Sequence, residues 1–182
     1  GPVATNDMPT FQSGSNNTDL TLASGETFTI GLAADNDYDR VTINANATLN
    51  FSSNQSEYFI DRLTINSGGR VFLQANAIYW VKNLQAYSQS EIQVSGTGTA
   101  TLITGNTRTE IHSSARINSP LLATSGAPEK LVIYTNGHLQ LNSQATVSAY
   151  IYTEDSATLN WRANIFGALS SSRVTLYSEA KV

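Results

Sequence analysis

Asp39-Arg40-Val41-Thr42-Ile43-Asn44, followed by Leu49-Asn50-Phe51, returns about 22 residues later as Asp61-Arg62-Leu63-Thr64-Ile65-Asn66, followed by Val71-Phe72-Leu73. Self-similarity at a fixed short period is the mark of a repeat architecture. A second pair lies downstream. Ile133-Tyr134-Thr135, Leu141, Ala145 and Val147 are matched about 18 residues on by Ile151-Tyr152-Thr153, Leu159, Ala163 and Ile165. One template, an apolar position followed by another eight residues later, then fits Leu20/Phe28, Val41/Leu49, Leu63/Val71, Leu84/Ile92, Ile103/Ile111, Ile133/Leu141, Ile151/Leu159 and Leu169/Tyr177. That makes about eight units.

Within a unit the apolar runs alternate with period 2, as in Leu20-Thr21-Leu22 and Phe28-Thr29-Ile30, so each is a short strand with one buried face. Turn-forming clusters separate them, among them Ala23-Ser24-Gly25-Glu26, Asn44-Ala45-Asn46-Ala47 and Asn66-Ser67-Gly68-Gly69, where Gly and Asn tolerate the left-handed conformation of a sharp corner. Three short strands in about 18–22 residues predict an all-β fold, a right-handed parallel β-helix of about eight coils. The competing architecture is a β-sandwich of hairpins, for which Asn136-Gly137 is a good turn. Against it, stacked coils bring equivalent positions about 4.8 Å apart and reward identical pairs, and Tyr134/Tyr152, Thr21/Thr42/Thr64 and Asn44/Asn66 share a phase. The register places Leu63, Val71, Ile133, Leu141, Ile151, Leu159 and Ile165 inside.

The organisation expected is a single solenoid domain over residues 3–182. Gly1-Pro2 reads as the scar of a protease cut, and no basic-then-apolar signal segment opens the chain. Two polar excursions are expected near 33–39 and 123–130, the second because the interval from Ile103 to Ile133 is about 12 residues longer than the others. Insertions on a solenoid often carry binding sites.

Composition narrows the function classes. Charged residues make up 13% of the 182, Cys is absent, and ten Lys plus Arg against 14 Asp plus Glu leave a formal charge of −4. No thiolate can hold zinc, and no basic field exists to displace counterions from a phosphate backbone, so nucleic acid is not an expected partner. No run of about 18 apolar residues exists to span a membrane as a helix. Neutral hydrogen-bonding residues replace charge, as in secreted or surface-exposed β-structure, and the lack of Cys is compatible with an oxidising envelope.

Catalytic patterns are thin. His112 and His138 have no two-histidine metal spacing and read as solvent-facing strand residues. Glycosidic cleavage needs two carboxylates facing each other across about 5–10 Å. Glu154-Asp155 is adjacent in a corner, where side chains diverge, whereas Glu91 and Glu110 share a phase about one coil apart and otherwise read as solvated strand residues. The expectation is therefore a protein without a catalytic site.

Asp35, Asp37 and Asp39 alternate as oxygen ligands of a calcium ion would. Arg40 stands where an EF-hand has Gly and Asn46 where it has Glu, which leaves only an ad hoc calcium site. The alternative is structural, a charge ladder built from the repeated Asp39-Arg40 and Asp61-Arg62.

Tyr134 and Tyr152 each follow an inward Ile and so face outward on adjacent coils, with Tyr150, Trp161 and Phe166 nearby in sequence. Exposed aromatic rings beside Asn and Gln suit a sugar, because rings cover the apolar face of a pyranose while amides bond its hydroxyls. The expected ligand-binding residues are Tyr134, Tyr152, Tyr150 and Trp161. The alternative is a ladder that only stabilises the stack or is covered by other structure. An ice-binding face would need a flat Thr row along many coils, and the Thr21/Thr42/Thr64 row ends at Gln85.

The run from Leu131 to Tyr152, LVIYTNGHLQLNSQATVSAYIY, resembles the repeated coils of MshQ-like proteins of pilus biogenesis and similar large surface proteins of Gram-negative marine bacteria. It departs from their pattern at Glu154-Asp155, where the coil would carry Gly. The resemblance implies an extracellular, surface or pilus-associated module of a larger chain, adhesive in role. Its partners would be a host or surface glycan or pilus subunits, and it carries no catalytic residue across. A carbohydrate-degrading β-helix and a purely structural spacer are the other readings.

Overall fold

A computed structural model describes residues 8–105, 107–119 and 126–182. The strands are β1 (Asp19–Leu22), β2 (Thr27–Ile30), β3 (Asp37–Ile43), β4 (Thr48–Phe51), β5 (Glu57–Ile65), β6 (Arg70–Gln74), β7 (Ile78–Ala86) and β8 (Glu91–Ser95). They continue as β9 (Ala100–Thr104), β10 (Thr109–Ile111), β11 (Arg116–Ile117), β12 (Leu131–Thr135), β13 (Leu139–Leu141), β14 (Thr146–Leu159) and β15 (Asn164–Leu176). Every paired strand is parallel to its neighbour, and the chain is a β-solenoid of about seven turns.

Three faces run along the stack. The first comprises β1, the ends of β3, β5 and β7, then β10, β13 and the ends of β14 and β15. The second comprises β2, β4, β6, β8, β11 and the starts of β14 and β15, with Lys181 bridging to Asn164. The third comprises the starts of β3, β5 and β7, then β9, β12 and the middles of β14 and β15. β12 pairs in parallel with β9 and β14, so the Asn136-Gly137 hairpin of a sandwich does not form.

The core is a set of inward columns. Leu22, Ile43, Ile65, Ala86, Ile111, Leu141 and Leu159 succeed one another in register, all buried. Leu63, Val71, Ile133, Ile151 and Ile165 are buried as expected. Each such side chain contributes about 1.5–3 kcal/mol on leaving water. Several inward threonines find partners within the stack. The Thr104 and Thr135 hydroxyls bond to each other, Thr109 Oγ1 donates to Thr104 Oγ1 at 2.8 Å, and Thr153 Oγ1 donates to the Gly137 carbonyl at 2.9 Å.

The corner between the first and second faces is the most regular element. One residue per coil takes a left-handed conformation there: Gly25, Asn46, Gly68, Gln89, Ser114, Gln144, Arg162 and Glu179, with φ between 56° and 78°. Each turn is closed by the next N–H donating back three residues, as Ala47 does to Asn44, Ala115 to His112 and Ala163 to Asn160, all at 2.9–3.0 Å. The corners also bond along the stack. The N–H groups of Gln89, Ser114, Gln144 and Arg162 donate to the carbonyls of Ser113, Ser143, Trp161 and Ser178 on the following coil.

The eight-residue template slips between the two halves of the chain. Val41/Leu49 and Leu63/Val71 connect the first face to the second, whereas Ile133/Leu141 and Ile151/Leu159 connect the third face to the first. All three faces share one inward period, so spacing alone does not tell them apart. Leu102, not Ile103, is the inward partner of Ile133.

The 33–39 excursion is not an insertion. Asp37–Asp39 belong to β3, and the preceding bend is stacked on its equivalent one coil on, where Asn54 Nδ2 and Gln55 Nε2 donate to the Leu32 and Ala33 carbonyls 22 residues earlier. The longer interval is where it was expected. Coil partners lie 22 residues apart at Asn44/Asn66, 18 at Asn142/Asn160 and 30 at Asn118/Ser148. Residues 123–125 of the 123–130 loop, like Gly1 and Pro2, lie outside the described residues. Its return leg, a 3-10 turn at Pro128–Lys130, is pinned by Asn118 Nδ2, which donates to the Ala127 and Ser148 carbonyls at 2.8 Å each.

Candidate binding face

Alternation puts Tyr134 and Tyr152 outward on the third face, because Ile133 and Ile151 beside them are committed to the core. The two rings stack at 5.2 Å with planes 18° apart, and both residues are half-buried. Tyr150 stands in the neighbouring outward column, in register with Val132, and is 39% exposed. These three tyrosines form one patch. At its margin Asn136 Nδ2 donates to Glu154 Oε2 at 3.3 Å.

The column extends further than sequence alone indicated. Phe59, Trp80, Ile103, Tyr134 and Tyr152 succeed one another in outward register across five coils. Phe59 and Trp80 stack at 6.5 Å with planes 5° apart. Trp80 and Ile103 are nevertheless buried. The N-terminal segment passes over this part of the face: Phe11 meets Trp80 edge-on at 6.1 Å, and the Pro9 carbonyl accepts from Asn136 Nδ2 at 3.3 Å.

Trp161 does not join the patch. It occupies the corner between the first and second faces, which is across the coil from the third face, with the Arg162 guanidinium 4.5 Å over its ring.

The three aspartates are not brought together either. Asp35 Oδ1 accepts from the Gly31 and Ala33 N–H groups at 3.1 Å and its Oδ2 from the Tyr38 hydroxyl at 3.3 Å, so it shapes the bend. Asp37 Oδ2 accepts from the Ser15 and Asn16 N–H groups at 2.7 and 3.1 Å. Asp39 lies 3.7 Å from Arg40 of its own coil. Among the described residues no three His, Asp or Glu side chains gather as a metal ion would need. The repeated Asp-Arg pairs do stack in register, Arg40 on Arg62.

Glu91 and Glu110 lie on different faces, a consequence of the template slip. Glu91, on the second face, is ion-paired to Arg116, with Arg70 in register on its other side, and a shallow groove of about 600 Å3 runs past these residues. Glu110, on the first face, is 3.4 Å from Arg108 and from His112 Nε2. His112 is not a free strand residue. It sits at the corner stacked on Tyr87 at 4.6 Å. His138 Nδ1 is 2.8 Å from Ser156 Oγ one coil on, at the same 18-residue offset that separates Ile133 from Ile151. Glu154 and Asp155 are exposed at a register shift inside β14, not in a free turn.

Burial, with the Asp35 carboxylate beside it, pushes the Tyr38 hydroxyl up to about 12. Burial also raises Tyr58 and Tyr79, whose hydroxyls donate to the Ser52 and Gln74 carbonyls at 2.5 and 3.1 Å.

The fold and this face define a parallel β-solenoid with an outward aromatic column. Compared with known proteins, the chain matches no family model, no curated protein and no solved structure. Among the described residues no helix is long and apolar enough to cross a membrane.

Proposed function

We propose that this chain is a non-enzymatic adhesive module of a larger bacterial surface or pilus-associated protein, exposed outside the cell and binding a neutral glycan through Tyr134, Tyr152 and Tyr150. The observation that carries the reading is the outward stack of Tyr134 on Tyr152 with Tyr150 exposed beside it. Rings stacked one coil apart cover each other's inner faces and offer a sugar their outward edges and hydroxyls, and Asn136 and Glu154 at the margin of the pair can bond its hydroxyls. The low charge and the Ser, Thr and Asn content agree with an extracellular setting, and the likeness of residues 131–152 to MshQ-like coils agrees with surface association.

The non-enzymatic reading is supported by the separation of Glu91 from Glu110, since a glycosidase needs two carboxylates converging on one bond. A glycan array probed with the chain and with Tyr134→Ala and Tyr152→Ala tests the proposal. It expects binding to neutral glycans that both substitutions weaken. Unchanged binding by both variants, or release of new reducing ends from a bound glycan, contradicts it.

A further inference from the structure

Among the described residues, the N-terminal segment leaves the third face that it crosses incompletely paired. Besides the Phe11 and Pro9 contacts, the Ser15 and Asn16 N–H groups donate to Asp37 Oδ2. Gly14 permits this approach, because a Cβ there would come 1.9 Å from Asp37 Oδ1. Beneath the segment, three buried polar atoms have no hydrogen-bond partner among the described residues: Trp80 Nε1, Asp37 Oδ1 and Asn136 Oδ1. Each belongs to a residue that the segment touches. A buried donor or acceptor left unpaired is costly, so the segment covers the column without satisfying it.

We infer that the binding column continues under this segment, and that residues 9–16 occupy its second half as a displaceable stand-in for a longer neutral glycan; the inference rests on the glycan-binding reading above. The column from Phe59 to Tyr152 crosses four coil intervals, roughly 19 Å at the usual strand spacing. Its covered half holds a stacked Phe59–Trp80 pair like the open Tyr134–Tyr152 pair. Sugar hydroxyls both donate and accept. They can pair Asp37 Oδ1 and Asn136 Oδ1 as donors and the indole N–H as acceptors, the three atoms that the Phe11 ring and the segment's backbone leave unpaired. A short oligosaccharide uses only the open tyrosines, whereas a long one must displace the segment and loses affinity by the cost of doing so.

The test is calorimetry with neutral β-linked glucose, N-acetylglucosamine and mannose oligomers of two to six units, against the chain, Phe11→Ala and Gly14→Val. Both substitutions loosen the segment at residues that do not contact the open tyrosines. The expected result is hexamer affinity raised about tenfold in both variants with dimer affinity unchanged, because the closed state no longer competes. In the unsubstituted chain, hexamer and not dimer should expose residues 9–16 to limited proteolysis, a readout that does not depend on the variants folding. Hexamers bound no more tightly by the variants, with no change in proteolysis, overturn the inference and leave the tyrosine patch standing. Self-association of the variants in place of tighter glycan binding overturns it in favour of a second copy's segment as the occupant. No binding of any oligomer by any form overturns the glycan reading and the inference together.

Discussion

Tyr134 and Tyr152 stack at 5.2 Å on the outside of the third face, and Tyr58 and Tyr79 stack at 5.3 Å on its inside. The same coil spacing produces both pairs, but water reaches only one. Tyr58 and Tyr79 are 1% and 0% exposed and pack edge-on against Phe51 at 4.7 and 4.8 Å.

The two stacks should therefore separate under mutation. Tyr79→Ala removes a buried ring and leaves a cavity, at an expected cost of about 3–5 kcal/mol, whereas Tyr134→Ala should cost under about 1 kcal/mol. Urea denaturation of the two variants checks this. Equal losses would mean that the outer pair is part of the structural stack.

The stacked corners give a second expectation. Gln89 holds φ 62°, where an L side chain is strained and Gly is not. Gln89→Gly should be neutral or stabilising by up to about 1 kcal/mol, and Gln89→Val destabilising by about 1–2 kcal/mol, since β-branching is least tolerated there. The urea midpoints order the three proteins. A valine variant as stable as the glycine variant contradicts the corner geometry.

Legibility from sequence varied with the residue in that left-handed position. Gly25, Asn46 and Gly68 announce a corner by their own conformational preference, whereas Gln89, Ser114, Arg162 and Glu179 hold the same conformation because the coils stacked against them impose it. Parallel stacking and the inward set were readable from repeated identities such as Thr21/Thr42/Thr64, which are in register. The assignment of strands to faces was not, because all faces share one inward period. Tyr134, Tyr152 and Tyr150 were readable as an outward group from their phase, but Trp161 was misplaced because proximity in sequence says nothing about which corner a residue turns. The cover over Trp80 left no local trace. Phe11 lies in a stretch without alternation, and its partner is a distant strand residue.

Alkaline pH should weaken the fold. Burial, then the Asp35 carboxylate, pushes Tyr38 up to about 12, and burial raises Tyr58 and Tyr79 as well, against about 10 in an unfolded chain. The folded state then keeps protons that the unfolded state releases. The stability these groups contribute is full below about pH 10 and is lost as pH rises toward 12. Urea midpoints should fall across that window, and less steeply in Tyr38→Phe. A flat profile contradicts the burial of these hydroxyls.

Asn118 should be the residue that fastens the long loop's return to the stack. Asn118→Ala deletes both bonds of its amide and leaves the Ser148 and Ala127 carbonyls without that donor, at an expected cost of about 2 kcal/mol. Thermal unfolding monitored by circular dichroism measures it. An unchanged midpoint would show that the return leg is held by other contacts.

The most direct test of the binding face is a two-dimensional NMR titration of the chain with a neutral oligosaccharide identified on the array. The account predicts shifts centred on Tyr134, Tyr150 and Tyr152, no response at Trp161, and an affinity loss of roughly 30-fold, about 2 kcal/mol, in Tyr134→Ala. Shifts centred instead on the Arg70–Glu91–Arg116 groove or on the Asp35 bend, with the tyrosines unmoved, would contradict it.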